Sequence, residues 1–266
     1  MKVVYGHTDS IYVQIDSVEK AEEAIKEIES SVREHFPNVM GLEQHPVVLE
    51  FEKYYSALGV GTTKNRNAGM ITWKDGDWLD EPEFVMTGFT AKRVSETKLA
   101  KGVQTDVLTM WVNEKPMTEI NKYLHDKYNA VINGNIPIDN IIKRSRLRED
   151  RFTVKCKGCN KKHDLHGCLA IRWCLKCGED TAKFTTLEGR RPSIGSGVAG
   201  VVHAKQNGIN FDDSYLYLKV RSNETYTNPL TKEVRTVEYV SGSRYVDFDK
   251  YKPDYQHYAD QVIKKA

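Results

Sequence analysis

All five cysteines of this 266-residue chain fall between positions 156 and 177, and four of them form two Cys-x2-Cys pairs in "CKGCNKKHDLHGCLAIRWCLKCGED". Fourteen residues separate the pair Cys156 and Cys159 from the pair Cys174 and Cys177. That spacing lets four thiolates close a tetrahedron around zinc. A segment that must bring four thiols to one point has few conformations open to it, so a zinc ribbon is expected over residues 150 to 186 or so. A closed four-thiolate site has no free coordination position, and its metal holds a fold rather than doing chemistry. Cys168, His163 and His166 lie between the pairs and stand as alternative ligands. Crowded thiols argue against the disulfide framework of a secreted chain, and two pairs without a thioredoxin-like surround argue against a redox site. Lys155, Lys157, Lys161, Lys162 and Arg172 flank the pairs; phosphate contacts and a solvated surface are both open readings of them.

The rest of the composition bounds the answer loosely. The length allows one large domain or two to three small ones. With 39% hydrophobic and 29% charged residues the chain has ordinary globular usage. No apolar run reaches the roughly 18 residues of a membrane span, and the N-terminus lacks the layout of a signal peptide. No membrane partner and a cytoplasmic location are therefore expected, in the host cytoplasm if the chain is viral. A net charge of +2 is too small to argue for nucleic acid, so that argument rests on local clusters.

Along the chain, "VVYGHTDSIYV" reads as a β-hairpin with Asp9 at its tip, because two β-branched and aromatic runs flank turn residues. "SVEKAEEAIKEIESSVREHF" has Ala21, Ala24, Ile25, Ile28, Val32 and Phe36 at helical spacing, begins at Asp16 or Ser17, and stops before Pro37. "PVVLEFEKYYSALGVG" is expected to be a strand, and "AGMITWKDGDW" holds a turn at Asp75-Gly76. From about residue 94 the pattern turns helical, with two helices parted by Pro116 and, later, "GVAGVVHAKQNG" and "PDYQHYADQVIKKA". "SYLYLKV" reads as a strand and "SNETYTNPLTKEVRT" as a mobile polar loop. The fold class expected is α+β: an antiparallel sheet covered by a helix, then a mainly helical region with the zinc ribbon inserted.

Residues 5–13, "YGHTDSIYV", resemble the Tyr-Gly-Asp-Thr-Asp-Ser hairpin in the palm of the family B DNA polymerases. Later segments resemble the family in the family's order. "VVLEFEKYYSAL" looks like the palm strand after the motif, "TKNRNAGMI" is similar to the Lys-Lys-Arg-Tyr-Ala-Gly segment at the primer-template duplex, and "MTGFTAKRVSETKLAKGVQTDVLTM" looks like the passage into the thumb. "GVAGVVHAKQNG", "SYLYLKV" and "PDYQHYADQVIKKA" resemble the end of the thumb. The resemblance implies palm over residues 1–93 and thumb over 94–266, with thumb helices centred on Leu99, Val103, Leu108 and Trp111. Only the ribbon is foreign to it.

The resemblance also implies roles. Asp9 is the ligand of the catalytic Mg2+, or Mn2+, with His7 and Thr8 beside it in the turn; Zn2+ is structural. Two divalent cations held a few Å apart activate a 3′-hydroxyl and neutralise leaving pyrophosphate, and hard cations take carboxylates on a rigid turn. Lys64, Arg66, Asn67, Lys92 and Arg93 fall at the family's primer-template contacts. His7 replaces the family's first aspartate, an exchange that weakens magnesium binding or favours manganese, and Asn67 replaces its tyrosine. Glu50 and Glu52 fall on the strand next to the hairpin, where Glu50 either meets a metal-bound water or is purely structural. A second palm aspartate, the fingers residues that hold the dNTP, and the exonuclease carboxylates have no counterpart in these residues. The expectation is a chain inactive alone that completes its site with a larger subunit, as the smaller part of a split polymerase acting on primer-template DNA. Two alternatives stay open: a catalytically inactive polymerase-like DNA-binding or scaffold protein, and an excised fragment.

Overall fold

The computed structural model describes residues 2–7, 10–63 and 65–266. Its elements run β1 Lys2–Gly6, β2 Ile11–Gln14, α1 Val18–His35, β3 Lys53–Val60, β4 Asn67–Lys74, β5 Asp77–Thr87, α2 Lys98–Val112 and α3 Met117–Ile132. Then come β6 Lys143–Arg146, α4 Glu149–Phe152, β7 Thr153–Lys155, β8 Lys162–Asp164, β9 Thr185–Thr186, α5 Gly197–Gln206, β10 Ser214–Lys219, β11 Thr225–Thr227, β12 Val234–Thr236, β13 Tyr239–Gly242 and α6 Tyr255–Lys265. All strand pairings are antiparallel, so the fold mixes helices with antiparallel sheets. Two compact units result: one holds residues 1–92 and 105–120, the other 93–104 and 121–266. No helix of the described residues is long and apolar enough to cross a membrane.

In the first unit, β1 and β2 form a hairpin and β3-β4-β5 form a separate three-stranded sheet. Helix α1 starts where Ser17 Oγ accepts from the Lys20 N–H, and it buries Val18, Ala21 and Ala24. Strands β4 and β5 turn at Asp75 and Gly76, both with positive φ, the conformation that tight hairpin turns require. One face of this sheet carries a core of Ala57, Ala68, Met70, Phe84, Met86 and Phe89. Leu108 and Val112 of α2 complete that core. Gly59 makes room for a ring: a Cβ there would stand 2.0 Å from a carbon of Trp111. Leu108 and Trp111 were expected among thumb helices packing on one another. They pack instead on the β3-β4-β5 sheet, because the helical stripe at 108, 111 and 112 meets the small residues Ala57, Gly59 and Ala68. The expected strand over 46–61 begins only at Lys53, so Glu50 and Glu52 sit in irregular chain before it and are exposed.

In the second unit, β13-β10-β6 form a sheet whose central strand buries Tyr215, Leu216 and Leu218. Helix α5 is buried over Gly197–Ala204. Its Gly200 lies so near β13 that a Cβ would meet Ser241 Oγ at 2.5 Å. Strands β8-β7-β9 form the sheet of the ribbon, where Val154, Leu165 and Phe184 are buried, and Phe152 meets Tyr215 of β10 edge-on. The segment expected as a mobile loop, 222–236, is instead the β11–β12 hairpin, and Tyr226, Asn228 and Leu230 are buried. Asn228 Oδ1 accepts from the N–H groups of Leu230 and Thr231 at 2.9 and 3.2 Å, which holds the turn. That turn then braces the ribbon: Thr181 Oγ1 donates to Leu230 O at 2.8 Å, and Lys232 Nζ donates to Cys168 O. Polar composition alone reads as loop; these partners, far apart in sequence, give the polar groups their bonds.

A nearly buried carboxylate ties this unit together. Glu96, its side chain 9% exposed, pairs with Lys143 at 3.0 Å and Lys265 at 2.9 Å. Burial pushes the Glu96 carboxyl up, but hydrogen bonds from Lys265 and Lys143 and the Thr97 N–H outweigh it and hold it at about 2. A carboxyl depressed in the folded state contributes stability that is complete above its ordinary value of 4.5 and is lost as pH falls towards 2. Melting temperature followed against pH should therefore drop more steeply in the parent than in Glu96→Gln across that window. Parallel curves would show that the cluster contributes no pH-linked stability.

Candidate functional site

The hairpin motif is built on tyrosines. Tyr5 of β1 and Tyr12 of β2 are tilted rings 5.5 Å apart, and Tyr12 stands 6.0 Å from Tyr55 of β3, which joins the hairpin to the neighbouring sheet. Burial first, then Tyr12, pushes the Tyr55 hydroxyl up to about 12, so it is a neutral donor at any ordinary pH. The turn closes through the His7 N–H, which donates to Ser10 O at 2.8 Å. Thr8 and Asp9, and likewise Lys64, lie outside the described residues.

The β3–β4 turn meets this hairpin. Tyr5 Oη donates to Asn65 Oδ1 at 3.2 Å and accepts from the Asn65 N–H at 3.2 Å, a reciprocal bond across 60 residues of chain. Asn65 has φ +64, a left-handed conformation that asparagine tolerates better than most side chains. The turn is closed by the Gly61 N–H donating to Arg66 O at 2.7 Å. From the other side it abuts Gly88, where a Cβ would stand 2.0 Å from Asn65 O and 3.3 Å from Arg66 Cγ. Gly88 comes just before the short helical turn Thr90–Lys92. Arg66 is exposed in the turn that meets the hairpin, and Lys92 is exposed four residues after Gly88. Asn67 is 8% exposed and opens β4 between Val60 of β3 and Thr87 of β5, so its side chain is not at the surface where a duplex contact was expected. Arg93 is exposed and belongs to the second unit. Nothing in the sequence links Tyr5 to Asn65, which lie in two separate motif segments.

Gly88→Ala should shift this turn, since the glycine has φ +75 and a backbone oxygen occupies the space. We expect a loss of about 1–3 kcal/mol in unfolding free energy. Gly76→Ala is the control, with φ +104 but no atom within 4 Å of the added Cβ. Denaturant unfolding of both variants checks this: the larger loss belongs to Gly88→Ala, and equal losses would show that the contact with Asn65 adds nothing to the cost of the positive φ.

The four cysteines of the two knuckles come together: their sulfur atoms lie within 4.8 Å of one another. Cys156 and Cys177 Sγ are 3.4 Å apart and Cys159 and Cys174 Sγ 3.6 Å apart. Disulfide sulfurs would be at about 2.05 Å, whereas zinc with bonds of about 2.3 Å sets tetrahedral edges of about 3.8 Å. The donor set fits zinc. Burial pushes the Cys174 thiol up, but the N–H groups of Lys176 and Cys177, with His163 and Cys159, outweigh it and lower it. At Cys177 the Glu179 N–H lowers the thiol, but hydrogen bonds with Cys156, Cys159 and Cys174, with burial, outweigh it and raise it. His163 Nε2 is 3.7 Å from Cys174 Sγ and its ring packs on Phe184. Cys168 is buried outside the cluster, and burial pushes its thiol up to about 11.

The DNA polymerase family B model matches residues 1–157, an interval that contains the hairpin, the β3–β4 turn and Lys92, and ends inside the first knuckle. No curated protein matches the chain in sequence. Among solved structures, the family B DNA polymerase of the hyperthermophilic archaeon Pyrobaculum calidifontis is similar in fold, with a TM-score of 0.54 and 18% identity over 99% of this chain. The chain spans 26% of the length of that polymerase. With a family match over more than half its residues, the chain belongs to DNA polymerase family B.

Proposed function

We propose that this chain is the C-terminal palm-and-thumb subunit of a DNA-directed DNA polymerase whose exonuclease, fingers and remaining palm lie on a larger polypeptide. The observation that carries the reading is the joining of the motif hairpin, through Tyr5 and Asn65, to the turn that holds Arg66, inside the interval that matches the family. Arg66 and Lys92, with Lys64 and Arg93, hold the backbone of the primer-template, so affinity for duplex should fall steeply with salt. Asp9 would hold the divalent cation, magnesium or manganese, which supplies activation of the 3′-hydroxyl and neutralisation of pyrophosphate when bound. His7 sets the charge beside it. The larger subunit supplies a second carboxylate and the dNTP-holding residues, and the cysteine cluster holds zinc as a structural ion.

The hairpin itself supports a partner. Val3 and Ile11 are 62% and 53% exposed, and β1 and β2 pair only with each other among the described residues. A two-stranded hairpin is marginal in water, and open edges with apolar side chains favour being covered. Primer extension by this chain mixed with the candidate larger subunit tests the reading: activity should appear only on mixing. A stable complex that binds duplex yet extends no primer in magnesium or manganese would instead support a non-catalytic DNA-binding remnant, the reading that His7 favours.

A further inference from the structure

The metal-bearing end of the ribbon carries an exposed aromatic among cations. Trp173 is 55% exposed and Leu175 75% exposed, although both flank the buried Cys174. Lys155, Lys157, Lys161, Arg172 and Lys176 each lie one or two residues from a cluster cysteine. Because the cluster sulfurs lie within 4.8 Å of one another, these side chains share one end of the ribbon. The acidic groups nearby are engaged locally: Glu179 pairs with Lys183 at 3.0 Å, Asp180 accepts from the Ala182 N–H at 2.7 Å, and Asp164 from the Gly167 N–H at 3.0 Å. Backbone hydrogen bonds leave the charges of Asp180 and Asp164 in place, and Asp180 pairs across the backbone from Trp173, but the five cations against these three carboxylates leave an excess of cationic side chains around the indole.

We infer that this end of the ribbon binds single-stranded DNA, with an unstacked base on the Trp173 indole and its phosphates on Lys157, Arg172 and Lys176. A tryptophan left half in water forgoes much of the stabilisation that burial gives, and a base face restores it. Protein interfaces are depleted of lysine, whereas a polyanion is matched by a lysine-rich rim around an aromatic. Duplex DNA keeps its base faces stacked, so the flat platform selects a single strand. The inference deepens the polymerase reading by adding a second DNA contact, away from the hairpin motif in sequence.

Titration of the full chain with fluorescein-labelled oligothymidylate, followed by anisotropy, tests it, with a blunt duplex of matching length in parallel. Trp173→Ala should weaken oligothymidylate binding by about tenfold and leave duplex binding unchanged, with zinc content equal to the parent as proof that the ribbon is folded. The double variant Lys157→Gln, Lys176→Gln should make the salt dependence of that binding shallower by about 1.4 in log–log slope. Trp173→Ala with parental zinc and parental oligothymidylate affinity overturns the inference, as does an equal loss for duplex. Loss of primer extension in the mixed complex with oligothymidylate binding intact would instead overturn the proposed function and leave this inference standing.

Discussion

Stripping the metal should unfold the ribbon and leave the rest of the chain folded. Each chain should carry one zinc ion by elemental analysis, and a strong chelator should make the segment from Thr153 to Thr186 sensitive to protease. The energy at stake is large, on the order of 10 kcal/mol for a structural zinc site. Against it stands a small local core of Val154, Leu165 and Phe184, with strands of only two or three residues, too little to fold without the ion. Cys156→Ser should lose the zinc and show the same cleavage without chelator. Cys168→Ser should keep it, because that thiol lies outside the cluster, and its cost should be confined to packing. Full zinc content in Cys156→Ser, with an uncut ribbon, would remove the metal from the account.

Alanine at Asp9 should reduce primer extension by the proposed two-subunit complex by about 100-fold or more, the effect of losing several kcal/mol of charge stabilisation at a metal site. Duplex affinity should stay near that of the parent, since Arg66, Lys92 and Arg93 are untouched. That division, rate lost and binding kept, separates a metal ligand from a residue that merely shapes the turn. His7→Asp should raise extension in magnesium relative to manganese, because a second carboxylate suits the harder cation. If Asp9→Ala extends primers as the parent does, the hairpin is not the catalytic element. The His7→Asp comparison is informative only in the proposed mixed complex, where the larger subunit would supply the second carboxylate.

Much of the first unit was legible because its signals are local. The tyrosine-flanked hairpin turn, the Ser17 cap before an apolar helical stripe, and Asp75-Gly76 between strands each specify backbone geometry within a few residues. The cysteine spacing was legible for a related reason: tetrahedral coordination needs few conformations of a short segment, and the sulfurs do converge. Strand β6 was not legible. Its sequence Lys143-Arg144-Ser145-Arg146 has no apolar alternation, and it becomes a strand by pairing with β10. The same holds for the 222–236 hairpin, whose polar residues find partners on the ribbon.

The sequence by itself determined the meeting of the two cysteine pairs and the motif hairpin, because these rest on residue type and short spacing. Tertiary structure alone decided that Asn65 is bound by Tyr5, that Gly88 must be a glycine, that Leu108 and Trp111 serve the sheet rather than a helical bundle, and that Glu96 is locked between two lysines. Contacts of that kind join residues tens of positions apart. Their energy comes from burial and from hydrogen bonds made only when both partners arrive, and neither is encoded in either segment alone.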